Sequence, residues 1–117
     1  MFYLSGPVLN DLFDYQVKLQ KTLNGVNLPD CNDEMLAEYA LGIYTELGEA
    51  LAINKNWKKW REKSGYDTSE FLEEIADVWI FLINFTLAAG MEADDIIYEI
   101  NRKQQILSER LKNKEIR

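Results

Sequence analysis

Glu46-Leu47-Gly48-Glu49 and, further along the chain, Glu74-Ile75-Ala76-Asp77 are the stretches that decide how this sequence folds. Residues three apart lie on one face of a helix, so each tetrad presents two carboxylates side by side. Their neighbours one turn away are apolar or small: Gly42, Ile43 and Ala50 around Glu46, Ala52 and Ile53 beyond Glu49, Ile80 and Phe81 beyond Asp77. The acids therefore interrupt stripes that would otherwise be core, where an uncompensated charge is costly. If the two helices pack antiparallel, four carboxylates converge. Like charges that close raise one another's pKa unless a cation lies between them. An all-oxygen cluster suits a hard ion such as Mg2+ or Mn2+ far better than zinc. Two acid pairs on solvated faces are the alternative, and for Glu46 and Glu49 alone it is as good a reading. Glu74 and Asp77 tip the balance: from Phe71 to Ala89 the only charges are Glu73, Glu74 and Asp77, so this helix has little solvent face to offer.

That third helix is apolar nearly all round, through Phe71, Leu72, Ile75, Val78, Trp79, Ile80, Phe81, Leu82, Ile83, Phe85 and Leu87. A helix hydrophobic on every side must be buried on every side. Four helices of one small chain rarely achieve that, so a subunit interface is expected. Asp67-Thr68-Ser69-Glu70 resembles a capping box at its start and Gly90 stops it.

Upstream, Asn32 or Asp33 caps the second helix, which should run to about Ile53. The first helix opens at Ser5-Gly6-Pro7 and ends at Gly25. It carries an apolar stripe, Val8, Leu12, Tyr15, Leu19 and Leu23, beside a second one of Leu9, Phe13, Gln16, Gln20 and Asn24. Amides on that second stripe are odd if it is only core. Downstream, Asp94 and Asp95 fall in the first turn of a fourth helix, where the dipole favours anions. Its core face is Ile96, Ile97, Ile100, Leu107 and Leu111, with Lys103 and Arg110 seven apart along one edge. These cations are either simply solvated or aimed at an anion. Between the acid pairs lies Trp57-Lys58-Lys59-Trp60-Arg61, whose tryptophans either close the end of the bundle or meet a ligand. The expected architecture is all-α: one domain over residues 1–117, an antiparallel four-helix bundle that dimerises through the third helix.

Composition narrows the chemistry. The formal net charge is −7, and no basic cluster is longer than Lys58-Lys59 with Arg61. That argues against a nucleic-acid duplex, because the phosphate backbone rewards concentrated Lys and Arg. The chain has one cysteine, Cys31, and no histidine. His-based triads, Cys-His dyads and ordinary zinc sites are thereby excluded, and any general base is a carboxylate. The longest uncharged stretch, Val78 to Met91, is 14 residues, short of the roughly 20 needed to span a bilayer. With no signal-peptide pattern at the N-terminus, a cytoplasmic protein without a membrane partner is expected. Two carboxylate pairs, an edge of cations, an amide stripe and a Trp-Lys loop make a coherent kit for a nucleotide. Metal ions bridge phosphates, a carboxylate orients water, and amides read a base edge.

The acid signature resembles that of the all-α nucleoside triphosphate pyrophosphohydrolases, the MazG and dimeric dUTPase superfamily, and within it the dimeric dUTPases most. Leu19-Gln20-x-x-Leu23-Asn24 is similar to their first-helix segment, Trp57-Lys58-Lys59-Trp60 to their Lys-Trp stretch, and Asp77-x-x-Ile80-Phe81 to their Asp-x-x-His-Phe. Ile80 replaces the family's His. A later phosphate motif is loosely echoed by Tyr98, Asn101, Lys103 and Arg110. The resemblance implies Mg2+ (or Mn2+) on Glu46, Glu49, Glu74 and Asp77, with Glu46 and Glu49 catalytic and Glu46 the water-activating base. It implies base and sugar contacts from Gln20, Asn24, Trp57, Trp60 and Phe81, and phosphate contacts from Lys58, Asn101, Lys103 and Arg110. The implied reaction is dUTP with water to dUMP and pyrophosphate in a homodimer. A MazG-like enzyme of other or broader substrate range, or a silent helical dimerisation module, are the competing readings.

Overall fold

Polar caps and left-handed glycines cut the chain into four helices. The computed structural model describes residues 7–113 and contains α1 (Pro7–Asn24), α2 (Asp33–Ile53), α3 (Thr68–Ala88) and α4 (Ala93–Lys112). Asn32 Oδ1 accepts the Met35 amide at 2.8 Å, and the Asp67 carboxylate accepts the Glu70 amide at 3.1 Å, starting α2 and α3 at the expected places. The Asp95 carboxylate accepts the Glu92 amide at 2.8 Å at the head of α4. Gly25 and Gly90 take φ of +67° and +87°, conformations that a side chain resists, and so terminate α1 and α3. The expected contribution of Ser5 and Gly6 to the start of α1 lies outside the described residues. No strand occurs among the described residues, and the all-α, four-helix expectation holds.

α2 and α3 form the backbone of the protein, packed along most of their length. They run antiparallel: Glu46 meets Glu74 and Asp77, while Gly42, one turn earlier, meets Phe81, one turn later. α1 lies across α3, and α4 leaves the end of α3 at 105°, its backbone approaching only α1. The core is small. Phe13, Leu28, Ile83, Leu87 and Ala93 form it, flanked by Leu9, Val17, Val26, Tyr39 and Ala88.

Which stripe of α1 turns inward differs from the simplest expectation. Val8, Leu12, Tyr15 and Leu23 are exposed, whereas Phe13, Gln16 and Gln20 are buried. The amide stripe faces the protein and the apolar stripe faces out. α3 likewise buries only Ile83, Asn84, Thr86 and Leu87, and leaves Leu72, Trp79, Ile80 and Leu82 exposed. The radius of gyration is 17.5 Å, where a compact chain of this length has about 13 Å. Its accessible surface is 9155 Å², against roughly 6,600 Å² for a compact monomer of this mass. No single helix is long and apolar enough to cross a membrane among the described residues.

Because the core is so small, each member matters. Phe13→Ala should lower the unfolding free energy by about 3–5 kcal/mol, the usual cost of deleting a buried phenyl ring. A shift of the urea midpoint without a change of slope is the expected readout.

Candidate active site

The register of α2 on α3 builds a site from spacing alone. Glu46, Glu74 and Asp77 each bring one carboxylate oxygen to a point where all three lie within 4.8 Å of one another. Opposite ligands around one Mg2+ are about 4.2 Å apart, so the spread is of the right size for a single hard ion. All three residues are half-buried, while Glu49 stands exposed at the rim. Glu46 Oε2 and Glu74 Oε2 are buried and accept no hydrogen bond from any described residue. Buried carboxylate oxygens without donors are what a cation-binding site looks like before it is neutralised. The donor set fits Mg2+ or Mn2+.

The charges are visible in the titration of the group. Glu74 is pushed up to about 7, first by the hydrogen bond it shares with Glu46, then by one with Glu49, by burial and by the charges of both. The bond with Glu74 pulls Glu46 downward, but burial, Glu49 and Asp77 outweigh it and the net shift is upward. One proton held by Glu74 and donated to Glu46 thus relieves the repulsion that full ionisation leaves.

Phe81 stands one turn beyond Asp77 on the same face of α3. A Cβ on Gly42 would fall 2.5 Å from two carbons of its ring, so the missing side chain at Gly42 makes the room in which the Phe81 ring lies. A further turn along, Gln20 Oε1 accepts Asn24 Nδ2 at 2.8 Å and the Tyr39 hydroxyl at 3.4 Å. Tyr39 lies one turn before Gly42 on α2, so the amides of α1 meet the same helix pair. Acids, ring and amides follow one another in order along the hairpin.

The other expected site residues lie elsewhere. Trp57 donates its indole N–H to the Leu51 carbonyl at 3.0 Å, meets Trp60 edge to face at 6.1 Å, and carries the Lys58 ammonium 5.3 Å from its ring. This cluster sits at the end of the hairpin away from Phe81, beyond the acids, and Trp60 is mostly exposed. Within one protomer it stands beyond the acids and not beside Gln20 and Asn24. Asn101, Lys103 and Arg110 are carried away on α4. Lys103 is about three turns and Arg110 nearly five turns from the head of α4, while Asp77 is about three turns back along α3. The structure does not bring these α4 residues to the acids of their own chain. The sequence reading leaves out Tyr39 and Asn84 and takes Gly42 only as a small neighbour of Glu46. Asn84 had a signal, being with Thr86 one of two polar residues in the apolar run from Val78 to Leu87.

A family model described as dUTPase matches residues 8–115 of the chain. No curated protein and no solved structure matches it.

Acid repulsion sets a pH dependence. Glu74 titrates near 7 in the folded protein against an ordinary value of 4.5, so the folded state holds a proton that the unfolded state has released. Stability without metal should therefore be greatest below about pH 4.5 as far as this group is concerned, and fall as pH rises towards 7. Thermal melts in EDTA across that range should show the decline, and Mg2+ should reverse it at pH 7 and above. Glu74→Gln should raise the melting temperature in EDTA at pH 8 and abolish the Mg2+ response.

Proposed function

The chain belongs to the dUTPase family, and from that premise we propose that it hydrolyses dUTP to dUMP and pyrophosphate, with Mg2+, in the cytoplasm. Family membership makes it a dUTP diphosphatase-like nucleotide pyrophosphohydrolase; the base, the metal and the residue roles are our reading. The observation that carries it is the convergence of Glu46, Glu74 and Asp77, with Phe81 one turn and the Tyr39–Gln20 hydrogen bond two turns further along the same helix pair. A silent scaffold has no use for inward carboxylates that repel one another.

Glu46, Glu49, Glu74 and Asp77 would hold the ion, which supplies neutralisation of phosphate oxygens and a lowered pKa for water. Glu46, the half-buried acid of α2 in the cluster, accepts the water proton. The water oxygen bonds to one of the two phosphorus atoms flanking the α–β bridge. The bridging oxygen leaves with the other group, giving dUMP and pyrophosphate. Phe81 packs against the sugar. A 2′-hydroxyl pressed on its ring would lose water without gaining a partner, costing on the order of 1–3 kcal/mol. Gln20 and Asn24 contact the base, and Trp57, Trp60 and Lys58 border the phosphates.

A homodimer completes this reading. The protomer exposes roughly 2,500 Å² more surface than a compact monomer of its mass, and Trp79, Leu82, Leu12 and Tyr15 are among its exposed apolar side chains. A second copy against α3 covers them. It also gives Asn101, Lys103 and Arg110 a route to the triphosphate of the opposite site, which their own chain denies them.

Sedimentation should show a dimer at micromolar concentration, and Trp79→Glu should shift it towards monomer. Glu46→Gln should lower kcat for dUTP by about a hundredfold or more, the usual yield of a positioned general base. Hydrolysis at the wild-type rate by that variant would sink the assignment. The ratio of kcat/KM for dUTP over UTP should exceed about tenfold and shrink in Phe81→Ala.

A further inference from the structure

Asn84 is the most deeply buried large side chain among the described residues, at 2% exposure. Its neighbour Thr86 is satisfied, donating its hydroxyl to the Leu82 carbonyl at 2.8 Å. Asn84 Oδ1 is not, for no described residue donates to it. A lone amide in the apolar stretch of α3 with a buried, empty acceptor weakens the fold unless something else fills it.

Its position says what that could be. Glu74, Asp77, Phe81 and Asn84 follow at spacings of three, four and three, one continuous face of α3. Asn84 lies about 10 Å beyond Asp77 along the axis, two turns from the acids with Phe81 between. The register that pairs Glu46 with Asp77 and Gly42 with Phe81 brings Tyr39 level with Asn84. The Tyr39 hydroxyl in turn reaches Gln20. Phosphate, sugar and base of a nucleotide follow in this order, and the last level is the one where Asn84 stands.

We propose that Asn84 reads the base, its Oδ1 accepting the N3–H of uracil while its Nδ2 donates to an adjoining ring carbonyl. This rests on the dUTP reading and deepens it. Gln20 fixes the polarity of the site. Its carbonyl already takes two donors, from Asn24 and Tyr39, so what this side chain offers a ligand is its amide NH2, a donor. A donor beside an empty acceptor complements the carbonyl and N3–H of a uracil edge. Gln16, one turn before Gln20, has a second buried acceptor without a donor, Oε1, and keeps the level polar. The amino group of cytosine is the competing donor for these oxygens, so the competitor is dCTP.

The test crosses a substrate change with a side-chain change. Measure kcat/KM of wild type and Asn84→Ala for dUTP, N3-methyl-dUTP, dCTP and the abasic deoxyribose triphosphate. Wild type should prefer dUTP over N3-methyl-dUTP by at least about tenfold, the scale of one specific hydrogen bond. Asn84→Ala should lose about tenfold or more on dUTP and stay within about twofold of wild type on the methylated and abasic substrates. An equal loss on all substrates would make Asn84 structural and overturn the proposal, as would an N3-methyl penalty that survives in the variant. A wild-type preference for dCTP over dUTP overturns the N3–H assignment. Should Asn84→Ala not fold, Asn84→Asp, nearly the same size, replaces it in the same comparison. Normal dUTP turnover with an unaltered methyl penalty strikes Asn84 alone. A wild type inert towards every deoxynucleoside triphosphate strikes the proposed function itself.

Discussion

Mutual repulsion among the carboxylates between α2 and α3 is the constraint from which the rest of this structure follows. Two half-buried acids on one helix face would already be unfavourable, and here Glu46, Glu74 and Asp77 crowd within 4.8 Å. The protein holds them together by packing the two helices along most of their length, so the attraction of the hairpin opposes the repulsion at one point. Glu74 shifted to about 7 is the sign of that opposition. Strain of this kind persists in a fold when the charge is later met by an opposite one, which is the role of a divalent ion. Stability and function thus pull in different directions at the same three residues.

Bringing the acids together also dictates what lies on either side of them. An antiparallel pair has one register, and fixing Glu46 against Asp77 fixes Gly42 against Phe81 a turn later and Tyr39 level with Asn84 a turn after that. Gly42 is the position where a single methyl group would be felt. A Cβ there would meet the Phe81 ring at 2.5 Å, and the ring would have to give up its place against α2. Acids, ring and amide contact are therefore one helix pair followed for two more turns.

How much of this was legible in the sequence depended on whether the signal was local. Helix ends were, because Asn32, Asp67, Gly25 and Gly90 act through their own backbone neighbourhoods. The acid cluster was, because spacing of three places both members of each pair on one face whatever surrounds them. The inward face of α1 was less so: Val8, Leu12, Tyr15 and Leu23 look like core by periodicity, yet Phe13, Gln16 and Gln20 are the buried ones. Periodicity finds stripes, but which stripe is covered by this chain and which by another depends on the assembly. The resemblance groups Asn101, Lys103 and Arg110 of α4 with the acids, but a sequence carries no angle, and the 105° bend after α3 separates them within one chain. Asn84 escaped notice because a single polar residue in an apolar run reads as tolerated noise until its burial is known.

The open shape of the protomer and the incompleteness of its site are one fact seen twice. A chain with 17.5 Å radius of gyration and exposed side chains such as Trp79 and Tyr98 has not finished burying its apolar surface. The same chain keeps its acids on α2 and α3 and its helix-edge cations on α4, with no backbone approach between α4 and α2 or α3. An acidic cluster that must receive a triphosphate needs positive charge opposite it, since a divalent ion alone leaves several phosphate charges unmatched. Folding α4 back would supply the charge but expose the Leu87–Ala93 corner, which gives the small core two of its five residues. In the proposed dimer a second copy would supply both the apolar cover and the cations without disturbing that corner, so association would cost the protomer no contact it already makes.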